Sequence, residues 1–96
     1  MSGPTCLRID GEMTIYRAAE LKPVLLEALK PSADMDIDLS GVTEFDSAGV
    51  QLLMLAQREA RAMQGELRLV APSAAVREVF DLLDLAAAFG ASVQAA

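Results

Sequence analysis

The chain has 96 residues and a net charge of −6, and 53% of its residues are hydrophobic. This length and apolar content predict a single folded domain over residues 1–96 and argue against disorder. The negative charge disfavours nucleic acid as a partner, and the lack of histidine together with a single cysteine disfavours a zinc site or imidazole-based catalysis.

The first predicted elements are two short strands and a helix. "CLRI" alternates apolar and polar residues, "DGE" is typical of a turn and "MTIY" is again extended in character, so residues 6–16 predict a β-hairpin. Cys6 is expected to pack in the core. "RAAELKPVLLEALK" predicts an amphipathic helix with four apolar residues at helical spacing, Ala18, Leu21, Leu25 and Leu29.

The next segment, "MDIDLS", alternates strictly and predicts a strand with one apolar face. Its other face carries Asp34, Asp36 and Asp38, which lie about 6.6–7 Å apart along a strand, too far to share one metal ion. A solvated face without a metal site is therefore predicted. Asp38 is the nearest of the three to Ser47 in sequence, and it is a candidate for lining the same end of the sheet.

The second half of the chain predicts a helix, a strand and another helix. The first helix has an apolar face formed by Gly49, Leu52, Leu53, Ala56, Ala60 and Met63, which Val50, Met54 and Leu55 widen to nearly the full circumference. "ELRLVA" predicts a strand, and Ser73 is the predicted N-cap of a helix in "PSAAVREVFDLLDL". "AAAFGASVQAA" predicts a short turn or helix and then an edge strand. The order β-β-α-β-α-β-α predicts an α/β sandwich with an at least partly parallel sheet and a core within about residues 6–90.

No segment of the chain is typical of a membrane or export signal. The apolar runs fall well short of the roughly 18 residues that a transmembrane helix needs. "MSGPTCLRID" lacks the basic and apolar regions of a signal peptide. We therefore expect a cytoplasmic protein without direct membrane insertion.

The segment "TEFDSAGVQLLMLA" places an acid, a hydroxyl and a glycine directly before an apolar helix. Asp46 or Ser47 is predicted to cap this helix, and losing the cap would cost about 0.5–2 kcal/mol. A phosphate on Ser47 would meet free backbone N–H groups and the positive end of the helix dipole. Neither a nearby base nor a G-x-S-x-G elbow accompanies Ser47, which favours a phosphate acceptor over a nucleophile.

The stretch "IDLSGVTEFDSAGVQLLMLAQREARAMQGELRLVAPSAAVREVFDLLDL" resembles the STAS family, the anti-sigma factor antagonist-like domains. The family hallmark, Asp-Ser/Thr-x-Gly-hydrophobic after a strand, is similar to Asp46, Ser47, Ala48, Gly49 and Val50. The resemblance implies a single mixed sheet of four or five strands with helices packed mainly on one side. It also implies that these five residues bind a partner and that Ser47 accepts the phosphate.

The second predicted strand differs from the family pattern. Members that act by partner switching often read Gly-Glu-Leu-Asp there, whereas this chain reads Gly11-Glu12-Met13-Thr14. The resemblance places that aspartate beside the acceptor loop. Thr14 and Asp38 are therefore the candidates for supporting the loop in this chain.

Two functions agree with this resemblance. The first is a regulatory interaction module that binds an anti-sigma factor or serine kinase-like protein and is switched by phosphorylation of Ser47. The second is a constitutive accessory or scaffold subunit, in a lipid-transport ATPase complex or a chemotaxis system, that is not phosphorylated. The sequence has no convergent set of acid, base and metal ligands, so neither an enzyme nor a cofactor is predicted.

Overall fold

The computed structural model describes residues 5–85 and 93–94, and strands alternate with helices along them. The strands are β1 (Thr5–Met13), β2 (Met35–Phe45), β3 (Leu67–Val70) and β4 (Val93–Gln94), and the helices are α1 (Ala18–Ala28), α2 (Ser47–Ala62) and α3 (Ala74–Leu82). Within these ranges no helix is long and apolar enough to cross a bilayer. The predicted turn or helix after Leu85 lies outside the described residues.

The strands form one sheet in the order β1-β2-β3-β4, and every described pair is parallel. Parallel neighbours need a crossover connection, which each of the three helices supplies. The expected small α/β domain is confirmed, but the sheet is parallel and not mixed among the described residues, and three strands, not four or five, form its main part. Among the described residues the sheet has three parallel strands of four residues or more, and β4 adds only two residues at the edge.

The predicted hairpin is not formed, because residues 5–13 make one continuous strand. β1 pairs with β2 from Thr5 to Met13. The register of this pairing shifts twice near "DGE", between Arg8 and Asp10 and between Gly11 and Glu12. Gly11 lies there at a φ of 83°, a backbone conformation that glycine adopts without strain. The turn that ends β1 comes only after Met13, so "MTIY" is not a strand.

The two faces of the sheet differ in polarity. The inner face is covered by the helices and is formed by buried apolar residues: Ile9, Met13, Met35, Ile37, Leu39, Val42, Phe45, Leu67 and Leu69. The outer face carries ion pairs, with 2.8 Å between Arg8 and Asp10 and 2.7 Å between Arg68 and Asp36. Cys6 is exposed on this side, so its expected place in the core is wrong. The reason is the alternation of β1, which turns Ile9 inward and Cys6 outward.

β2 is longer than the predicted strand, because two bulges carry it past Ser40 to Phe45. The buried positions are two residues apart at first and then three apart, at Met35, Ile37, Leu39, Val42 and Phe45. At each of two register shifts β2 has one residue more than β1, which keeps the next apolar side chain facing inward. Ser40 therefore lies within the strand and not at its end.

The helices agree closely with their predicted positions. α1 buries Leu21 and Leu25, and α3 begins after Ser73, whose Oγ accepts a hydrogen bond from the Val76 N–H at 3.3 Å. α2 buries one broad face but not its full circumference, because Met54 on the opposite face is 43% exposed. This exposed side begins at the start of α2 and continues along the helix.

Candidate functional site

The predicted motif, residues 46–50, lies at the end of the sheet where β1 and β2 terminate side by side. Met13 and Phe45 are register partners at the ends of these strands. Since the strands are parallel, the segments that follow them start side by side. The loop between β1 and α1 and the start of α2 therefore form one continuous part of the surface.

Asp46 links these two segments through its carboxylate. As the N-cap of α2, its Oδ1 accepts hydrogen bonds from the N–H groups of Ala48 at 2.9 Å and Gly49 at 3.3 Å. Its Oδ2 accepts a hydrogen bond from the Ile15 N–H at 3.2 Å. Of the two predicted caps, Asp46 is the one that caps the helix, and it also holds the loop after β1 in place.

Ser47 is the first residue of α2, and its side chain is exposed. Its hydroxyl makes no hydrogen bond to another described residue, whereas the N–H groups of Ala48 and Gly49 are occupied by Asp46. The Val50 N–H is also used, by the Asp46 carbonyl oxygen at 3.2 Å. Three of the N–H groups expected to meet a phosphate, those of Ala48, Gly49 and Val50, are therefore already occupied by Asp46.

Gly49 lets the start of α2 pack directly on the ends of β1 and β2. A Cβ at this position would lie 2.5 Å from the carbonyl oxygen of Met13 and 2.6 Å from the ring of Phe45. Real Cβ atoms do not approach other atoms so closely, and a backbone oxygen cannot move aside as a flexible side chain can. The glycine of the motif is therefore required by packing.

The five residues predicted to bind a partner differ in accessibility. Ser47 is exposed, Asp46 and Ala48 are half-buried, and Gly49 and Val50 are buried. The last two cannot offer a contact surface, and their expected direct role in binding is corrected to positioning α2. Ser47 remains as the accessible group of the motif.

Two exposed apolar residues beside the loop were not expected to be functional. A hydrogen bond of 3.0 Å from the Arg17 N–H to the Thr14 carbonyl oxygen closes a turn with Ile15 and Tyr16 at its centre. Ile15 is 71% exposed and Tyr16 is 89% exposed. Turn centres favour glycine, proline and small polar residues, so two large apolar side chains there are unusual. The sequence did not reveal the exposure of Ile15 and Tyr16, because "MTIY" has the residue pattern of a strand.

Thr14 and Arg17 hold this turn in shape. The Thr14 side chain is buried, and its Oγ1 donates to Glu12 Oε1 at 2.9 Å and accepts from the Tyr16 N–H at 3.3 Å. Nη1 of Arg17 donates to the carbonyl oxygens of Asp10 at 2.8 Å and Glu12 at 2.9 Å. Thr14 thus shapes the turn that contains Ile15, whose N–H donates to Asp46. A role of Thr14 in supporting the loop stays a prediction.

Asp38 does not lie at this end of the sheet. It pairs with Arg8 in the first half of β2, five residues of β1 and about 17 Å before the strand ends at Met13 and Phe45. The Ser40 N–H donates to its Oδ1 at 2.9 Å, and this hydrogen bond lowers the pKa of the Asp38 carboxyl below its usual value. The expectation that Asp38 supports the loop is therefore wrong. Within the described residues, no group of three or more potential ligands could hold a metal ion.

A family model described as "Mlab, STAS domain" matches residues 2–91, which is nearly the whole chain. The chain belongs to the STAS family. A search of curated proteins gave no significant match.

Two solved structures share the fold of this STAS domain. The anti-sigma factor antagonist SpoIIAA in its unphosphorylated form has a TM-score of 0.72 at 23% identity, over 100% of this chain and 84% of that one. A sulfate transporter family protein from Wolinella succinogenes has a TM-score of 0.77 at 20% identity, over 97% of this chain and 77% of that one. At these identities the likeness establishes the fold alone.

The roles of Asp46 and Ser47 in this STAS domain can be separated by their effects on stability. Asp46→Ala removes the cap and the link to Ile15, and it should lower the free energy of unfolding by about 1–2 kcal/mol. Ser47→Ala should change it by less than about 0.5 kcal/mol, as for an ordinary surface position. Urea unfolding followed by circular dichroism would measure both, with Ser73→Ala as the positive control for a lost cap. Equal losses for the two variants would contradict the assignment of the cap.

Proposed function

We propose that this STAS domain is a cytoplasmic regulatory module that binds a partner protein through the turn–helix patch, formed by Ile15, Tyr16 and Ser47. Phosphorylation of Ser47 would end this binding. The observation that carries the proposal is an exposed hydroxyl, not used by the fold, beside two exposed apolar side chains. Apolar and aromatic side chains commonly provide the binding energy of an interface, and a hydroxyl at its margin is suited to control by charge.

The partner is proposed to be an anti-sigma factor or serine kinase-like protein. The similarity in fold to the anti-sigma factor antagonist SpoIIAA supports this choice. The acidic character of the chain agrees with a protein partner rather than a nucleic acid. The family motif supports it further, since the hydroxyl after the aspartate is the acceptor in switching members.

The effect of a phosphate follows from the charge already present at the site. Phosphorylation adds about −1.5 to −2 charges next to the carboxylate of Asp46. At about 6 Å, two unit negative charges repel by about 0.7 kcal/mol in bulk water and about 3 kcal/mol at an effective dielectric near 20. The repulsion is therefore weak in the free protein and strong in a closed interface. This difference would oppose binding while leaving the fold intact.

Phosphate transfer to Ser47 is the direct test of the switch. Incubation with the partner kinase and labelled ATP should label the wild type and leave Ser47→Ala unlabelled. Ser40→Ala and Ser73→Ala are suitable controls, because Ser40 lies within β2 and Ser73 Oγ already caps α3. A label that persists in Ser47→Ala would remove the assignment.

The binding of two variants separates a switch from a permanent contact. Under the proposed switch, Ser47→Asp should weaken partner binding at least tenfold, about 1.4 kcal/mol, and Ser47→Ala should bind as the wild type does. Calorimetric titration with the purified partner would measure both. Tolerance of both substitutions would show that the turn–helix patch is not the interface.

The second candidate is a constitutive accessory or scaffold subunit, of a lipid-transport ATPase complex or a chemotaxis system, in which Ser47 stays unmodified. Thr14 favours it, because switching members often have an aspartate there, whereas the Thr14 hydroxyl is used within its own turn. The likeness to a sulfate transporter family protein also agrees with this role. In that case Ser47→Ala would itself weaken binding, by about 1–3 kcal/mol, because a partner group is left without its hydrogen bond.

A further inference from the structure

The exposed side of α2 forms a continuous stripe that begins at the turn–helix patch. Its residues are spaced by four, three, four and three positions, which places them on one side of a helix: Ser47, Gln51, Met54, Arg58 and Arg61. All five are exposed. With a rise of 1.5 Å per residue, the stripe extends for about 21 Å.

A groove of about 520 Å³ runs along this stripe. The described residues that line it all belong to α2: Gln51, Met54, Leu55, Gln57, Arg58 and Arg61. Met54 is 43% exposed and Leu55 is half-buried, so the groove has an apolar wall that water reaches. This α2 groove therefore combines an apolar surface with positive charge at its far end.

The positive charge of the α2 groove is not neutralised by the described residues. The chain has eight basic residues, and three of them, Arg8, Arg17 and Arg68, form ion pairs. Neither Arg58 nor Arg61 pairs with a described residue, although acidic residues are in the majority in the chain. Glu59 is the one acidic residue of α2. A locally basic groove on an acidic protein attracts a ligand of opposite charge.

Gln57 adds a polar group without a partner to the same groove. This residue is 8% exposed, and its buried Nε2 has no hydrogen-bond partner among the described residues. A buried donor without an acceptor is costly, and an acceptor on a bound molecule would relieve the cost. The polar side chains of the groove thus include two guanidinium groups and an amide, all of which can donate to a carboxylate.

We propose that the α2 groove binds an acidic amphipathic segment of a partner protein. Carboxylates of the segment pair with Arg58 and Arg61, and an apolar side chain packs against Met54 and Leu55. The groove is continuous with the turn–helix patch, and to this extent the inference rests on the proposed function. The acidic part of the segment would lie about 16–21 Å along α2 from Ser47.

Two matched peptides test this proposal on the isotope-labelled protein by NMR titration. Each has about 18 residues with leucines at helical spacing, and the flanking positions are glutamate in one and lysine in the other. The glutamate peptide should shift the amide signals of α2 from Gln51 to Arg61, and its binding should weaken as added salt shortens the Debye length. The lysine peptide should leave these signals in place.

Two double variants with the same net charge provide the control. Arg58→Glu with Arg61→Glu should weaken binding of the glutamate peptide at least tenfold. Lys22→Glu with Arg77→Glu, which alters exposed residues of α1 and α3, should retain most of it. If the first pair disturbs the fold, Arg58→Gln with Arg61→Gln replaces it and should also weaken binding.

The proposal is overturned if the glutamate peptide causes no shifts, if both peptides bind equally or if the two double variants behave alike. The result is independent of the proposed switch. Ser47→Ala should bind the glutamate peptide as the wild type does, because Ser47 lies at the other end of the stripe. Loss of kinase labelling with retained peptide binding would remove the switch and leave the α2 groove in place.

Discussion

Replacing Leu53 with alanine is expected to lower the free energy of unfolding by about 2–5 kcal/mol. Leu53 lies on the inner side of α2 and is 0% exposed within the main apolar cluster of the domain. Truncation removes buried methyl groups and leaves a cavity that the parallel strands beneath cannot readily close. Unfolding in urea would measure the loss as a lower midpoint at unchanged slope.

The neighbouring residue supplies the control for this experiment. Met54→Ala alters the exposed side of the same helix, where the side chain is 43% exposed. Its cost should stay below about 1 kcal/mol, since both methionine and alanine are good helix formers and little packing is lost. A larger loss for Met54→Ala than for Leu53→Ala would mean that α2 is rotated from the orientation described above.

Gly49→Ala is expected to destabilise the domain by about 1–3 kcal/mol, although alanine has the higher helix propensity. The added Cβ would lie 2.5 Å from the Met13 carbonyl oxygen, so α2 and β1 must move apart. That movement would also strain the hydrogen bonds between the two segments and Asp46. Unfolding would show the lost stability, and weaker partner binding should accompany it.

Gly41→Ala is the matched control for Gly49→Ala. A Cβ at Gly41 would meet the side chains of Asp10 and Arg8 instead of backbone. The Asp10 side chain is exposed and can change its conformation. The cost should therefore be clearly smaller than for Gly49→Ala. Equal costs would indicate that α2 does not pack closely against the end of β1.

Residue patterning was sufficient to predict the helices and the first part of β2. The alternation of Met35, Ile37 and Leu39, and the spacing of apolar residues in α2, are local signals that the tertiary structure preserves. The bulges after Leu39 could not be predicted in this way. They depend on pairing with β1, which belongs to a distant part of the sequence.

The predicted hairpin shows how a local signal can be outweighed. Asp10 and Gly11 are typical of tight turns between antiparallel strands. Here the long strand β2 offers eight of the nine residues of β1 a parallel partner, and the register shifts accommodate Gly11. The gain from this pairing and from burying Ile9 and Met13 exceeds the local preference for a turn.

The motif was sufficient to locate the candidate site in the sequence, but it was not sufficient to predict the roles of the individual residues. Aspartate and serine are almost equally good N-caps, so the sequence could not decide between Asp46 and Ser47. The structure decides because the Asp46 carboxylate accepts hydrogen bonds from the N–H groups of Ala48 and Gly49, and it adds a contact to the distant Ile15 N–H that no local pattern reveals. The exposure of Tyr16 likewise depends on a turn that alternation alone does not reveal.

The hydrogen bonds to Asp46 also affect how the surface fluctuates. The N–H groups of Ile15, Ala48 and Gly49 share one carboxylate as acceptor, so breaking that contact releases both segments together. Their amide protons should therefore exchange with solvent in a common local opening. A partner that docks here meets a preorganised surface and loses little conformational entropy in ordering it. A phosphate on Ser47 would change the charge of that surface without first having to change its shape.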